Sequence, residues 1–406
     1  MPKQFENFIT AIDVGSAKTR VLVAEIMGNG LRYRGHGVSD SLGSRKGAIV
    51  DLDKAVASIQ SAVEQAEDAA GAPVEHALLG IAGPHVRGVN THGGLSFGTR
   101  AREIAREEIR SAVDKARAIP LPADREIIHL LPQEFILDDQ SGISDPLGMM
   151  AMRLEVRVHM VTAVSSASQN VITAVNRAGV HVDDTVFEAL ACADAVLRQD
   201  ERELGVCLAD LGAGSTNLIV FQQGAVAHTA VIPIGGDHFT GDLSVGLCTP
   251  AAEAEKIKKL YGHAIVTLIP EGNEVEVPSV GDRPSRMVPQ RLVGEILEPR
   301  ARELFELLRD NLRHAGALER CMGGIVLSGG ASRLPGMLDV GESTLRRPVR
   351  MSWPTPLAKM PSNLAEPEYA TVLGMVYYGL RARTARGLQD ERWSSRLRSM
   401  LVGKGA

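Results

Sequence analysis

Two stretches of the chain share one pattern, and this repeat constrains the fold more strongly than any other feature. Residues 9–23 and 208–220 each contain an apolar run, a turn with glycine and a second apolar run, which predicts a two-stranded hairpin. Three positions keep the same spacing in both copies: Asp13, Gly15 and Thr19 in the first, and Asp210, Gly212 and Thr216 in the second. Two hairpins in register predict duplicated domains that clasp one polyphosphate between them.

The hairpin turns have the chemistry of a phosphate-binding loop. Gly212 and Gly214 lack a Cβ, so successive backbone N–H groups can close on an anion while nearby hydroxyls donate further hydrogen bonds. An aspartate at the end of the first strand would hold Mg²⁺, directly or through water. Lys18 either reaches a phosphate as a point charge or is a solvated turn lysine. The predicted ligands of phosphate and of Mg²⁺ (Asp13 and Asp210 for the metal) are Asp13, Gly15, Ser16, Lys18, Thr19, Asp210, Gly212, Gly214, Ser215, Thr216 and Asn217.

A third stretch, residues 325–336, is an apolar strand followed by a glycine turn and a helix start. The bare backbone at Gly329 and Gly330, beside Ser332, would let a nucleoside lie flat against it. The three stretches together resemble the actin, Hsp70 and sugar kinase ATPase superfamily, whose two phosphate loops and adenosine loop occur in this order. The resemblance implies an α/β protein with an actin-like ATPase fold, in which two duplicated RNase H-like halves surround a cleft for ATP and Mg²⁺.

Composition fits a cytoplasmic protein of several domains. A chain of 406 residues exceeds the usual single-core limit, and 44% hydrophobic with 23% charged residues is ordinary for a soluble globular protein. There is no apolar run of eighteen residues and no signal-peptide pattern, and the four cysteines lack the spacing of a zinc site or disulfide framework. The net charge is −5, yet residues 381–406 hold seven basic and two acidic side chains. A basic tail on an acidic body predicts an anionic partner.

Residues 83–162 carry strand, helix and strand signals of their own. We predict a helix over 103–118 and an antiparallel pair around the Asp-Pro-Leu-Gly turn at 145–148. Three motifs lie here: Pro-Gln-Glu-Phe at 132–135, Asp-Pro-Leu-Gly-Met at 145–149 and Arg-Leu-Glu-Val-Arg-Val-His at 153–159. This series resembles the FtsA family of bacterial cell-division proteins, in which an inserted small α+β subdomain replaces a normal actin subdomain.

The resemblance assigns roles to three further residues of the cleft. In actin-like relatives an acidic residue of a Glu-Pro-x-Ala-Ala turn orients the attacking water, and Glu188 lies at the corresponding turn without the proline. Hydrolysis therefore stays open and a weak ATPase is the most we expect; the alternative for Glu188 is a helix N-terminal charge that complements the dipole. Lys256 matches a position that contacts the ribose or base edge, or is a solvated helix lysine. Gly236, in the turn before the next helix, is counted among the nucleotide contacts.

Four arginines lie close in sequence around a turn and a long helix near residues 283–300. A charge run is usually a solvated face, but guanidinium groups also suit carboxylates. The FtsA resemblance implies that this outer subdomain binds the acidic C-terminal tail of the tubulin-like ring protein FtsZ. The candidate partner-binding residues are Arg283, Arg286, Arg291 and Arg300.

The C-terminal tail has the pattern of an amphipathic membrane helix. Apolar residues recur at i, i+4, i+7 and i+8 with arginines beside them, so a helix lying in an anionic interface would bury one face. The alternative is a terminal helix docked on the protein's own core. The family resemblance favours membrane targeting, and the predicted lipid-contacting residues are Arg392, Trp393, Arg396, Leu397, Arg398, Met400 and Leu401.

Together with these features, the FtsA resemblance implies an ATP-binding cell-division scaffold at the cytoplasmic face of the inner membrane. It would polymerise with itself, tether FtsZ, bind anionic lipids and recruit later division proteins, without a nucleic-acid partner. A carbohydrate or acyl kinase of the same superfamily is the alternative, although no substrate-pocket insertion is evident and a kinase has no use for the tail. The expected divisions are 1–82, 163–200 and 360–384 for the first actin-like domain, 83–162 for the insert, 201–245 and 320–359 for the second domain, 246–319 for an outer subdomain, 385–391 for a linker and 392–406 for the membrane helix.

Overall fold

The computed structural model describes residues 7–28, 30–281 and 283–387. The chain begins with a hairpin, a third strand and a long helix. That helix is capped by Asp51, whose side chain accepts a hydrogen bond from the Lys54 amide at 3.2 Å, and it ends at Gly71 with φ 64°. The elements are β1 (Phe8–Val14), β2 (Lys18–Met27), β3 (Gly30–Asp40), β4 (Ser44–Arg45), β5 (Ala48–Ile49), α1 (Leu52–Ala70) and β6 (His76–Ile81).

The inserted segment folds around a hydrophobic core of its own. Its elements are β7 (Val86–Ser96), β8 (Arg102–Glu103), α2 (Arg106–Arg117), β9 (Arg125–Leu137), β10 (Gln140–Ile143), β11 (Met150–Ala151) and β12 (Arg153–Val164). The sheet order is β10-β9-β12-β7, and β11 pairs with β8 in a separate two-stranded sheet. The strands on either side of the 145–148 turn, β9 and β12, pair antiparallel with Leu137 opposite Leu154, as predicted, and β10 and β11 lie between them along the chain. The helix begins at Arg106 rather than 103, since Arg102 and Glu103 pair as a strand.

The chain then returns to the first half before it enters the second. The elements are α3 (Ser165–Arg177), β13 (His181–Phe187), α4 (Glu188–Val196) and α5 (Gln199–Leu204). The second half comprises β14 (Val206–Leu211), β15 (Thr216–Gln222), β16 (Ala225–Ile232), α6 (Gly236–Gly246), α7 (Ala251–Tyr261), β17 (Glu274–Val277), β18 (Arg286–Pro289), α8 (Gln290–His314), β19 (Ile325–Ser328), α9 (Met337–Leu345) and β20 (Val349–Met351). The final helix, α10 (Ala370–Gly387), packs against α4 in the first half. It enters the segment 385–391 that the sequence assigns to a linker.

Two five-stranded sheets have the same topology, which confirms the duplication. The first has the order β13-β6-β1-β2-β3 and the second β16-β15-β14-β19-β20. In each, three antiparallel strands are followed by two parallel ones, and the hairpin strand bearing the aspartate lies at the centre. Apolar residues of both halves share one buried cluster, so the halves meet through a continuous core beneath the cleft.

A polar contact joins the inserted subdomain to the edge strand β16 of the second half. His159 uses both ring nitrogens: Nδ1 lies 2.6 Å from Asn90 Oδ1, and Nε2 lies 2.9 Å from Thr229 Oγ1. Gln133 donates to the Val226 carbonyl at 2.8 Å, and Asn90 donates to a neighbouring carbonyl of the same strand at 3.1 Å. Two of the three insert motifs, at 132–135 and 153–159, therefore converge on this contact. A cavity of about 630 Å³ lies beside it.

Candidate functional site

The two glycine turns face each other at the carboxyl ends of β1 and β14. Ser16 Oγ in the first turn accepts a hydrogen bond from the Gly47 amide at 3.2 Å. Gly214 in the second turn approaches so closely that a Cβ there would lie 2.5 Å from Ser16 Oγ and 2.8 Å from Lys46 Cα. The structure therefore brings the two predicted phosphate turns together across the cleft.

Several of the predicted phosphate ligands serve the turns themselves. The amides of Gly15 and Gly212 donate to the carbonyls of Lys18 and Ser215, at 3.1 and 3.0 Å. The repeated threonines are fully buried: Thr19 bonds Ser41 Oγ at 2.8 Å, and Thr216 donates to a backbone carbonyl at 2.8 Å. The shared spacing of glycine and threonine thus reflects hairpin construction, whereas Ser16 and Ser215 lie in the turns facing the cleft.

Three carboxyl groups meet beneath the turns. Burial raises the pKa of Asp13, although the guanidinium of Arg20 opposes that rise. Burial, and then the nearby Asp13, raise the pKa of Asp210 to about 6 even though Thr371 and Asn217 hydrogen bond to it. Burial together with both aspartates raises the pKa of Glu188 well above its ordinary value. Such mutual repulsion among buried carboxylates is typical of a site that a cation would relieve.

Arg20, which the sequence analysis missed, is the basic side chain that enters this site. It stands directly opposite Asp13 in the β1–β2 ladder, with Nη1 3.9 Å from Asp13 Oδ2, and its guanidinium lies 5.2 Å from the Tyr369 ring centroid. Its Nε is buried and has no hydrogen-bond partner among the described residues. Lys18, in contrast, points outward and pairs with exposed Asp40. The hairpin register could have predicted Arg20 from the sequence, because it places Arg20 directly opposite Asp13.

The second turn presents an unpaired acceptor where the first presents an unpaired donor. Asn217 stands opposite Asp210 in the β14–β15 ladder, and its Oδ1 is buried without a partner in the described part of the chain. A buried donor needs an anion and a buried acceptor needs a hydrogen-bond donor such as metal-bound water. The orphan groups and the three carboxyls therefore fit a phosphate with a hydrated divalent cation.

The third glycine stretch closes the cleft from the second half. Gly329 has φ 79°, and a Cβ there would lie 2.4 Å from the Leu211 carbonyl oxygen and 2.6 Å from Asp210 Oδ1. Ser332 is buried and donates to the Gly329 carbonyl at 2.6 Å, so its hydroxyl holds this turn in shape. Gly330 continues the turn in more open space, since a Cβ added to it would come no closer than 3.8 Å to Glu368 Cβ.

Lys258, rather than Lys256, is the lysine of α7 that reaches the cleft. Its Nζ donates to the Gly236 carbonyl at 3.0 Å and to Thr240 Oγ1 at 2.8 Å. The predicted Lys256 is exposed on another face of the helix and pairs with Glu253 at 2.7 Å. A Cβ on Gly236 would lie 3.4 Å from both Ala331 Cβ and Lys258 Nζ, so Gly236 does lie at this part of the cleft.

The four arginines of the outer subdomain have different surroundings. Arg283 is exposed, Arg286 donates to the Leu247 carbonyl at 2.7 Å, and Arg291 pairs with exposed Glu271 at 3.0 Å. Arg300 is held by Asp242 through two bonds, of 2.6 and 2.9 Å, and by Glu303. The first three therefore surround the β17–β18 hairpin and the start of α8, while the fourth is already neutralised.

The predicted membrane-contacting residues 392–406 lie outside the described residues. Among the helices of the described ranges, none has the length and apolar character required to cross a bilayer.

The paired sheets and the cleft between them define an actin-like protein. Solved structures with the same fold include the PilM-PilN type IV pilus biogenesis complex, with a TM-score of 0.66 at 17% identity over 92% of this chain and 98% of that one. MreB5 of Spiroplasma citri bound to ADP matches with a TM-score of 0.54 at 13% identity over 92% of this chain and 96% of that one. These likenesses confirm the predicted fold class.

Sequence relatives identify the branch of that class. The profile described as "Cell division protein FtsA" matches residues 207–374, and that described as "SHS2 domain inserted in FTSA" matches 83–162. Cell division protein FtsA of Pseudomonas aeruginosa is 41% identical over 94% of this chain and 91% of its own length. That of Escherichia coli is 32% identical over 97% of both. The chain belongs to the FtsA family of cell-division proteins.

Proposed function

We propose that the cleft binds ATP with Mg²⁺ and that nucleotide binding sets the arrangement of the two halves. The observation that carries this proposal is the meeting of the two turns, where Ser16 and Gly214 pack together over buried acids. Related folds support it: MreB5 of Spiroplasma citri has been solved bound to ADP and bound to AMPPNP. Because the turns belong to different halves, a phosphate between them would bind the closed arrangement better than an open one.

Each group of the cleft has a proposed part in binding. Arg20 would direct its unpaired Nε and its charge at a phosphate, and Ser16 and Ser215 would donate hydroxyl bonds. Asp13, Asp210 and Asn217 would hold Mg²⁺, directly or through water, and the ion would supply charge neutralisation of the phosphates. Gly236 and Gly330 would leave room for the nucleoside, Gly329 would shape the turn between them and Asp210, and Lys258 would lie at the edge.

Glu188 is proposed as the group that orients a water molecule, with slow hydrolysis at most. Its carboxyl group packs on Gly80, where a Cβ would lie 3.1 Å from Glu188 Oε1. Burial and the two neighbouring aspartates raise the pKa of Glu188, and a bound cation would oppose that rise by favouring the ionised form. Glu188→Gln should leave ATP affinity within about twofold while phosphate release ceases; an unchanged rate of release would remove Glu188 from this role.

We further propose that the protein is a scaffold which polymerises on the inner membrane at the division site, with 83–162 available to later division proteins. Filament formation occurs in a fold relative, because a MamK double helical filament matches with a TM-score of 0.51 at 12% identity over 91% of this chain and 98% of that one. Polymerisation would place many tails on one surface, and each further tail binds at high effective concentration. Weak tails would then give stable attachment.

Liposome co-sedimentation tests the scaffold directly. With ATP and anionic vesicles, the full chain should pellet with lipid, whereas a chain ending at Gln389 should stay in the supernatant. Trp393→Ala in the full chain should weaken binding, since it removes the largest apolar side chain of the predicted face. If the full and shortened chains bind equally, or neither binds, the membrane proposal is wrong.

FtsZ tethering is proposed to use the basic surface beside the β17–β18 hairpin. An acidic peptide would meet Arg283, Arg286 and Arg291 there, whereas Arg300 is held by Asp242 and Glu303 and would offer it little net positive charge. Arg283→Glu with Arg286→Glu should abolish binding of the FtsZ tail peptide in a fluorescence anisotropy titration. Arg117→Glu with Arg313→Glu, two exposed charge reversals at the ends of α2 and α8, is the matched control because it changes the net charge by the same amount. An equal loss of peptide affinity in both variants would show that the net charge of the protein matters and the position of the arginines does not.

A further inference from the structure

We propose a second, separate cation site on the first half, formed by His76, His181 and Asp183 and suited to a borderline transition metal such as Zn²⁺. One ligand atom from each residue lies within 4.8 Å of the other two. His76 Nδ1 is 2.7 Å from Asp183 Oδ1, and the two imidazole rings are 5.2 Å apart between centroids. The arrangement unites two nitrogen ligands and one oxygen ligand at one exposed place.

The backbone, rather than a chance side-chain position, creates this cluster. β6 and β13 run parallel, and His181 stands in register with His76. The register shifts between Val182 and Asp184, so Asp183 is the extra residue of a β-bulge. Bulges re-aim side chains and are over-represented beside functional sites. Here the bulge brings a carboxylate to the imidazole pair.

The donor set selects the class of ion. Zn²⁺ takes imidazole nitrogen and carboxylate oxygen at about 2.0–2.2 Å, so neighbouring ligand atoms in a tetrahedral site stand about 3.3 Å apart. The ligand atoms, now up to 4.8 Å apart, would have to rotate to that distance, and the His76 and Asp183 side chains, 59% and 42% exposed, have room to do so. A water molecule would complete the fourth position. Mg²⁺ and Ca²⁺ prefer oxygen ligands throughout and would not compete well here.

The site lies at the opposite end of the sheet from the nucleotide cleft. β6 and β13 start at His76 and His181, and their other ends lead to Ile81 and Glu188. At about 3.3 Å per residue the two sites are about 20 Å apart, so one ion does not displace the other. A metal here would pin β13 to β6, and β13 carries Glu188 at its far end. Binding to the folded chain alone would also raise its stability.

The test uses the full, untagged chain without nucleotide, because ATP itself chelates zinc. A Cys248→Ser background removes an exposed thiol that would compete for the metal. Zinc is titrated against a chromophoric chelator, and Co²⁺ is added separately to record the visible bands of a tetrahedral site. His181→Ala and Asp183→Asn are compared with His314→Ala, an exposed histidine at the end of α8.

We expect one Zn²⁺ per chain, with the His314→Ala control unchanged. Loss of an outer-shell partner typically costs about 10- to 100-fold in metal affinity, so loss of the ligand His181 should cost at least that much, and Asp183→Asn about 10-fold. The tetrahedral Co²⁺ bands should vanish in His181→Ala. Zinc affinity that is equal in all variants, or lost equally in the control, would overturn the proposal, as would the absence of binding to the parent chain.

Discussion

The two hairpin turns of the cleft have the same backbone but compensate their aspartates differently. Asp13 faces a guanidinium across its hairpin, whereas the matching position opposite Asp210 is the neutral Asn217. Asp210 instead accepts a hydrogen bond from Thr371 of α10 at 3.2 Å. The comparison indicates that duplication preserved the loop while the cross-strand partner diverged, so that the first turn offers a cation and the second an acceptor.

The largest expected effect is a difference in ATP affinity between substitutions of Arg20 and of Asn217, the residues that stand opposite the two aspartates. Arg20→Met should weaken ATP binding about 100-fold or more, because hydrogen bonds to charged groups contribute about 1.5–3 kcal/mol and Asp13 also loses its counter-charge. Asn217→Ala should cost about 10-fold, and Lys18→Met should leave affinity almost unchanged. A titration with a fluorescent ATP analogue measures all three. Equal losses at positions 20 and 217 would show that the two turns act alike.

The second prediction concerns the pH dependence of Asp210. Between its ordinary pKa of 3.8 and its folded pKa of about 6, the folded chain binds more protons than the unfolded chain. The free energy of unfolding therefore falls as pH rises through this window, and the penalty is complete above it. A shift of about two units is worth about 3 kcal/mol, less the hydrogen bonds that the ionised group receives.

Asp210→Asn should accordingly stabilise the nucleotide-free chain by about 2 kcal/mol at pH 7.5 and by little at pH 4.5. His159, whose pKa burial lowers to about 3, opposes this trend by favouring the folded chain at higher pH, but it contributes equally to both proteins. Urea unfolding at the two pH values measures the difference. A gain in the free energy of unfolding that is the same at both pH values would contradict the raised pKa of Asp210. Asp13→Asn should raise the free energy of unfolding by less, because the Arg20 guanidinium already offsets part of the cost of burying the Asp13 carboxylate.

A smaller effect tests how tightly the turns pack against each other. Gly214→Ala should cost about 1–3 kcal/mol, because the new Cβ meets Ser16 Oγ and the Lys46 backbone. Gly241→Ala in α6 is the control, since no heavy atom lies within 4 Å of its Cβ position and alanine favours helix. Urea midpoints of the two variants should move in opposite directions; a matching shift would mean that the turns do not touch.

The smallest effect distinguishes the two lysines of α7. Lys258→Ala should weaken ATP binding about fivefold to tenfold, in line with the loss of one partly buried charged contact, while Lys256→Ala should change it by less than about twofold. The same fluorescence titration serves for both. A larger loss at Lys256 would restore the sequence-based assignment.

The sequence predicts the backbone of this site far better than its side chains. The repeated aspartate and glycine spacing leads correctly to duplicated halves, because hairpin geometry is local. Lys256 and Lys258 show why the side-chain assignments were missed. Two positions apart on a helix, side chains point about 200° apart, so one lysine faces the cleft and the other faces solvent. Buried Ala254, four residues before Lys258 and therefore on the same face of α7, was the available signal. Likewise, the sequence analysis missed the β8–β11 pairing of the insert, because it joins residues distant in sequence.

The contact at His159 has a consequence for the solubility of the protein. β7 and β16 are both edge strands, and side-chain amides of the insert occupy carbonyls of β16. Both ring nitrogens of His159 are hydrogen bonded, to Asn90 in the insert and to Thr229 in β16. A tilt of the subdomain would therefore strain both hydrogen bonds together. Its detachment would therefore uncover the edge of β16, which is a template for adding a foreign strand. By covering that edge, the insert would lower the tendency of the second half to aggregate.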